Sequence, residues 1–149
     1  MDNITIRKAT DSDISAIENL SLELIEVTED NDGFDAKRIL DNYCYFLQDD
    51  SYYILVAELD EKLIGFVSFT TYRTLLHPGL SGLACELFVT ESHRAKGVGM
   101  LLVESFFEEC KKLGCCEVEI STGFNNNRAM RFYKKFGFEE RGIIFEKDL

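Results

Sequence analysis

A short stretch in the second half of the chain combines glycine and basic residues in a way that could hold a phosphate group. Arg94-Ala-Lys-Gly97-Val-Gly99 follows an apolar run and precedes a long amphipathic pattern, which predicts a turn leading into a helix. The glycines leave backbone N–H groups uncovered at the positive end of that helix, and Arg94 and Lys96 add positive charge. On its own the pattern favours an ordinary helix start, because it matches neither a P-loop nor a dinucleotide fingerprint.

A second stretch, from Asn126 to Phe138, changes this interpretation. It has the spacing Asn-x-x-Ala-x-x-x-Tyr followed by Gly-Phe, at Asn126, Ala129, Tyr133, Gly137 and Phe138. Together with the arginine and glycines of the first stretch, it resembles the two signatures of the GNAT superfamily of acetyl-CoA-dependent N-acetyltransferases. The resemblance in motifs covers residues 82–138, whereas the part before it agrees only in the order of its elements.

The resemblance implies that acetyl-CoA is the cofactor and indicates which residues bind it. Its pyrophosphate would meet the amides of the glycine turn, and its pantetheine arm would pair with strand backbone, where an amide at Phe88 or Val89 would polarise the thioester carbonyl. Asn126 would contact the cofactor arm. Many relatives carry glycine or arginine where this chain has Ala95. The predicted cofactor-binding residues are Leu87, Phe88, Val89, Arg94, Ala95, Lys96, Gly97, Val98, Gly99, Met100, Asn126 and Tyr133.

Two side chains are predicted to be catalytic. The resemblance places Tyr133 near the sulfur, where its hydroxyl could give a proton to the departing thiolate; a core aromatic is the alternative. Glu86 is an acidic residue inside an otherwise apolar strand. A lysine-like amine is neutral in only about one part in a few thousand at pH 7, so a carboxylate base would help it react. A solvated or ion-paired carboxylate is the alternative for Glu86. Direct attack by the amine is expected, with Cys85 pointing away from Glu86.

The remaining patterns predict the elements that must position these groups. Strands are expected at 4–9, 52–59, 63–72, 82–89, 116–122 and 138–147, and helices at 14–28, 35–48, 98–113 and 125–136. This order predicts an α/β (α+β) fold in a single domain, residues 1–149: a mixed, mostly antiparallel twisted sheet of about six strands with about four flanking helices. The resemblance implies that the parallel central strands, 82–89 and 116–122, splay apart to admit the cofactor.

Composition restricts the partners and the location. The net charge is −11, and residues 1–62 hold 16 acidic and 5 basic side chains, which argues against nucleic acid as a partner. No apolar run is long enough to cross a bilayer and no signal peptide is seen, so a cytoplasmic location is expected. The five cysteines are expected to be reduced thiols rather than disulfides. No metal site is predicted, since His77 and His93 show no ligand pattern.

The acceptor is expected to be a primary amine, in a small molecule or a peptide. The resemblance places the first two helices and their connecting loop beside the acceptor, and the acidic residues there would attract a cation. These candidate substrate-binding residues are Glu26, Glu29, Asp30 and Asp32. A solvated acidic surface is the alternative, and a homodimer is left open. A non-catalytic acyl-CoA sensor and a transferase for longer acyl groups are the competing functions.

Overall fold

The computed structural model describes residues 3–28 and 36–149. Its elements, in chain order, are β1 (Thr5–Lys8), α1 (Ile14–Val27), α2 (Ala36–Phe46), β2 (Tyr52–Leu59), β3 (Lys62–Arg73), β4 (Leu80–Val89), α3 (Val98–Lys112), β5 (Cys115–Ile120) and α4 (Asn127–Lys135). The chain divides into two compact units, Met1–Glu119 and Ile120–Leu149, which are described separately. The single-domain organisation stays a prediction.

The five strands form one sheet in the order β1-β2-β3-β4-β5. The first four are antiparallel to their neighbours, and β4 and β5 form the parallel pair, with α3 in the connection between them. β2 and β3 are joined by a tight turn in which Asp60 and Glu61 have positive φ values of 48° and 63°, as the right-handed twist of a two-residue hairpin requires. The predicted mixed, mostly antiparallel sheet with flanking helices is confirmed.

Helices cover both faces of the sheet, because alternate residues of the central strands point to opposite sides. On one face Phe69 of β3 packs against Phe106 of α3, with their ring centroids 4.9 Å apart. On the other face Phe66 joins a buried cluster that includes Ile17 and Leu20 of α1. The long central strands β3 and β4 therefore form the rigid support on which the candidate site is built.

The predicted last strand, residues 138–147, is wrong: residues 138–149 contain no strand. The sheet therefore has five strands in the described part of the chain, not about six. A strand forms only where its N–H and C=O groups pair with a neighbour. The unit that contains these residues holds only α4 and the last residue of β5, so it offers no partner strand. Ile143, Ile144 and Phe145 are exposed.

Among the described residues, no helix is both long enough and apolar enough to cross a membrane.

Candidate functional site

The turn between β4 and α3 has the backbone geometry of an anion site. Ala95 and Gly97 lie in the left-handed region, with φ values of 61° and 88°. Gly97 precedes the first residue of α3, and its carbonyl accepts the amides of Met100 and Leu101 at 3.0 and 3.1 Å. The amides before these belong to the first turn of the helix, which has no intrahelical acceptors for them. A Cβ at Gly97 would meet no atom within 4 Å, so the space beside the turn is open to a phosphate.

Arg94 fixes this turn to the end of β4. Its Nε donates a hydrogen bond to the carbonyl of Val89 at 2.8 Å, and its guanidinium lies 5.5 Å from the centre of the Phe88 ring. Ala95, Lys96 and Gly97 are exposed, whereas Val98 is buried and anchors the start of α3. The turn is therefore held in place at both ends, and it presents backbone amides and the Lys96 side chain to solvent.

β4 continues well beyond the end of its parallel neighbour. Ser81 of β4 donates a hydrogen bond to Glu117 of β5 at 2.9 Å, which places these two residues side by side. From there β5 has three more residues, to Ile120, while β4 has eight more, to Val89. Leu87–Val89 consequently have a backbone edge that β5 does not pair, which is the feature that an extended ligand would need to add itself to the sheet.

A β-bulge places Glu86 opposite Ser68. Ser68 pairs with Glu86 while the next residue of β3, Phe69, pairs with Ala84, so Cys85 is the extra residue of β4. The Ser68 hydroxyl donates to Glu86 Oε2, and the Glu86 amide donates to Ser68 Oγ at 3.2 Å. Glu86 keeps contact with solvent, but burial against its neighbours raises its pKa above the usual range, partly offset by the Ser68 hydrogen bond. Such a carboxylate can act as a base.

The bulge also changes the direction of Cys85. In a regular strand, Cys85 and Glu86 would point to opposite faces, as the sequence predicts. Both are exposed, however, and the hydroxyl of Tyr52 in β2 interacts with the Cys85 thiol and with Ser68, the partner of Glu86. The expectation that Cys85 points away from Glu86 is therefore wrong. Burial raises the pKa of Cys85, so the thiol stays protonated.

The other two predicted functional side chains lie in the unit Ile120–Leu149. Asn126 caps α4: its side-chain oxygen accepts the amide of Ala129 at 3.0 Å. Tyr133 lies in α4 with its ring edge-on to Phe132 and Phe138, and burial raises its pKa. Tyr133 therefore keeps its proton at neutral pH, as a general acid must. The cofactor contacts of both residues stay predictions.

The acidic candidates for the acceptor side are described only in part. Glu26 is exposed in the last turn of α1, while Glu29, Asp30 and Asp32 lie outside the described residues. Within the described ranges, no group of three or more His, Cys, Asp or Glu side chains could hold a metal ion. The five cysteines are free thiols, which agrees with the expectation from the sequence.

Sequence reasoning missed Ser68 and Tyr52, which it treated as ordinary strand residues. The signal for Ser68 was weak: a single small polar residue in the apolar run Ile64-Gly-Phe-Val-Ser-Phe69, buried to 3% exposure. Its partner lies 18 residues away, and only the strand register and the bulge bring the two together.

Comparison with known proteins identifies the family. The acetyltransferase (GNAT) family model matches residues 16–138. This chain belongs to that family. The predicted family is thus confirmed, and so is acetyl-CoA as the acyl donor that the family uses.

Individual relatives agree. An uncharacterised N-acetyltransferase of Archaeoglobus fulgidus is 31% identical over 130 residues, covering 86% of this chain and 88% of the relative. One of Methanocaldococcus jannaschii is 32% identical over 90 residues, which are 60% of this chain and only 40% of the relative. The solved aminoglycoside N-acetyltransferase AAC(6')-Iy, in complex with CoA, has a TM-score of 0.86 at 22% identity, over 99% of this chain and 96% of that one. It shows the same fold.

Proposed function

We propose that this protein is an acetyl-CoA-dependent N-acetyltransferase that acts on a primary, cationic amine by direct attack on the thioester. The observation that carries the proposal is the turn at Arg94–Met100, with its left-handed residues and open space before α3, in a chain of the GNAT family. The exposed amides of this turn hold the pyrophosphate, and the free edge at Leu87–Val89 takes the extended pantetheine arm. Acetyl-CoA supplies the activated acetyl group.

The side chains divide the proton transfers between them. Glu86 takes a proton from the acceptor ammonium, and its raised pKa brings it closer to the operating pH of a base. The freed nitrogen bonds to the thioester carbon while an amide at Phe88 or Val89 stabilises the carbonyl oxygen. The carbon–sulfur bond then breaks, and Tyr133, kept protonated by burial, gives its proton to the departing thiolate. As the amide forms, its nitrogen loses its second proton, which restores the Tyr133 hydroxyl through solvent, and Glu86 releases the first proton to solvent.

Charge supports a cationic acceptor. The net charge is −11, and this excess lies entirely in residues 1–62, which include Glu26, Glu29, Asp30 and Asp32. A relative in fold, AAC(6')-Iy, has been solved with the bisubstrate analogue CoA-S-monomethyl-acetylneamine, so that protein holds an amine-bearing compound joined to CoA. A polyamine, an aminoglycoside-like compound and a basic peptide all have the proposed chemistry.

A CoA-release assay across a panel of such amines tests the activity. Tyr133→Phe is expected to lower kcat by about a hundredfold or more while CoA affinity, measured by calorimetry, is retained. Glu86→Gln should act in the same way. A protein that binds acetyl-CoA but releases no CoA with any amine is a sensor, and the proposal is then wrong. Faster turnover with butyryl-CoA than with acetyl-CoA would instead identify a transferase for longer acyl groups.

The acceptor charge is tested separately by neutralising Glu29, Asp30 and Asp32 together, as Gln, Asn and Asn. The KM for a cationic amine should rise and its dependence on salt should weaken. An unchanged KM with unchanged salt dependence would contradict the cationic acceptor without affecting the assignment of acetyl transfer.

A further inference from the structure

Ser68 is bonded to Glu86 through both its donor and its acceptor sites. Its hydroxyl donates to Glu86 Oε2, and its oxygen accepts the backbone amide of Glu86 at 3.2 Å. Ser68 is only 3% exposed, whereas Glu86 reaches solvent. One buried hydroxyl thus contacts both the side chain and the backbone of the candidate base, which fixes the rotamer of the carboxylate relative to its own strand.

The bulge at Cys85 makes this contact possible. Ser68 and Glu86 occupy directly opposite positions of β3 and β4, where side chains on the same face come closest. Without the extra residue, the pairing of Phe69 with Ala84 would place Cys85 opposite Ser68. Glu86 would then point to the other face, which α3 covers. The bulge and the serine therefore work together to bring a carboxylate to the side of the sheet that carries Tyr52.

Tyr52 completes the arrangement. Its ring is stacked on Phe46, with centroids 3.6 Å apart and planes 8° from parallel, so its hydroxyl is held in one place. That hydroxyl lies close to Ser68 and to the Cys85 thiol. Burial raises the pKa of both Tyr52 and Cys85, and the charge of Glu86 raises them further. These two titratable groups, from β2 and β4, therefore stay neutral beside Glu86.

We propose that Ser68 is a positioning residue, which aims the Glu86 carboxylate at the acceptor amine and stabilises its ionised form in a half-buried site. The inference rests on the proposed function, because it assumes that Glu86 is the base. Burial favours the neutral acid, and the hydroxyl opposes this by donating to the charged oxygen. A hydrogen bond to a charged group has the strength to change a carboxyl pKa by about one to two units.

The test compares Ser68→Ala with Ser68→Thr, which keeps the hydroxyl, and with Thr70→Val. Thr70 lies two residues along the same strand on the same face, but its hydroxyl donates to the carbonyl of Ser51 at 2.9 Å, so it is the matched control. In the pH profile of kcat/KM, activity rises as Glu86 loses its proton. Ser68→Ala should move this acidic limb to higher pH by about one to two units, with CoA affinity unchanged. Ser68→Thr and Thr70→Val should leave it in place.

A second measurement does not depend on activity. The Glu86 carboxyl of ¹³C-glutamate-labelled protein is titrated by NMR, with Glu86→Gln identifying its signal. The midpoint of the Glu86 titration should move to higher pH in Ser68→Ala and should be unchanged in Thr70→Val. A midpoint and an acidic limb that are unchanged in Ser68→Ala overturn the inference. If Glu86→Gln keeps full activity while the midpoint does shift, then Ser68 does stabilise the carboxylate, but Glu86 is not the base, and it is the proposed mechanism that fails.

Discussion

Arg94 donates a hydrogen bond from its Nε to the carbonyl oxygen of Val89, at 2.8 Å, and so closes the turn that leads from β4 into α3. The Nε donor of the guanidinium is therefore used by the protein backbone, and the group lies over the Phe88 ring. Its terminal nitrogens carry further donors that a phosphate could use. Arg94 therefore acts first on the shape of the turn and second on its charge.

Arg94→Ala should weaken CoA binding by about tenfold or more, since a hydrogen bond from a charged group contributes about 1.5–3 kcal/mol. Arg94→Lys should recover only part of this loss, because lysine restores the charge without the planar fork. The measurement is calorimetric titration with CoA. Lys96→Ala, on the same turn, is the control for charge alone, and its smaller effect should fade as salt is added. A partial recovery in Arg94→Lys would agree with this prediction, whereas wild-type affinity in both variants would contradict it.

The turn carries strain at Ala95 that glycine would remove. Ala95 has a φ of 61°, a left-handed conformation that costs an L-residue about 1–2 kcal/mol. Ala95→Gly should therefore raise the free energy of unfolding, by up to about 1 kcal/mol after the greater entropy of glycine in the unfolded chain is subtracted. Urea denaturation measures this change.

Gly97→Ala is the matched reverse substitution. Its φ is 88° and an added Cβ would meet no atom within 4 Å, so the loss of about 1–2 kcal/mol comes from the backbone conformation and not from a clash. The free energy of unfolding is therefore expected to rise in Ala95→Gly and to fall in Gly97→Ala. A loss of stability in both would show that Ala95 is not strained.

The sequence predicts local features well and non-local ones poorly. The β2–β3 hairpin and α3 follow from short-range patterns, and the phosphate turn follows from its glycines. By contrast, the bulge at Cys85 depends on how two strands pack against each other, and a shift of one residue reverses the face of every side chain beyond it. For this reason alternation placed Cys85 and Glu86 on opposite faces, and the partnership of Ser68 with Glu86 was missed.

The last predicted strand also fails because pairing between strands is not visible in the local sequence. Residues 138–147 contain strand formers such as Ile143, Ile144 and Phe145. A strand forms only by pairing with a neighbouring strand, however, and residues 138–149 form no strand. Glu86 is predicted as a base candidate from a different signal, an acidic residue in an apolar run, which needs no knowledge of its partner. A functional residue that stands out by its type, such as Glu86, can therefore be predicted from the sequence. A functional contact between two residues, such as Ser68 and Glu86, can be predicted only when the register of the two strands is known.

Asp13 should make stability depend on pH in the acid range. Arg7 binds it through two hydrogen bonds of 2.7 and 2.8 Å, and Thr10 donates its amide to it at 2.8 Å. Mainly because of the Arg7 hydrogen bonds, the pKa of Asp13 falls to about 2. A carboxyl whose pKa is lower in the folded state stabilises that state fully at pH values above its pKa in the unfolded chain, which is near 4. This stabilisation is lost as the pH falls towards 2.

Asp13→Asn should consequently lower the free energy of unfolding by about 2 kcal/mol at pH 7, and the difference from the wild type should shrink between pH 4 and pH 2. Urea denaturation at several pH values provides the measurement. Asp11→Asn, on the same turn but exposed, is the control and should change little. A deficit in Asp13→Asn that stays constant down to pH 2 would mean that the lost interaction is packing and not charge.

Gly82 should be intolerant of a side chain for a reason that a second substitution can remove. A Cβ at Gly82 in β4 would lie 2.5 Å from the Cys110 sulfur and 3.4 Å from Val118 Cγ1. Cys110 is 1% exposed in α3 and has no room to retreat. Gly82→Ala should therefore lower the free energy of unfolding by about 1–3 kcal/mol through overpacking, as measured by urea denaturation.

Cys110→Ala removes the sulfur, so the double variant should be more stable than the sum of the two single losses predicts. Additive losses would show that the strain lies in the backbone of β4 instead. Gly142→Ala, where an added Cβ meets nothing within 4 Å, controls for the general effect of replacing glycine.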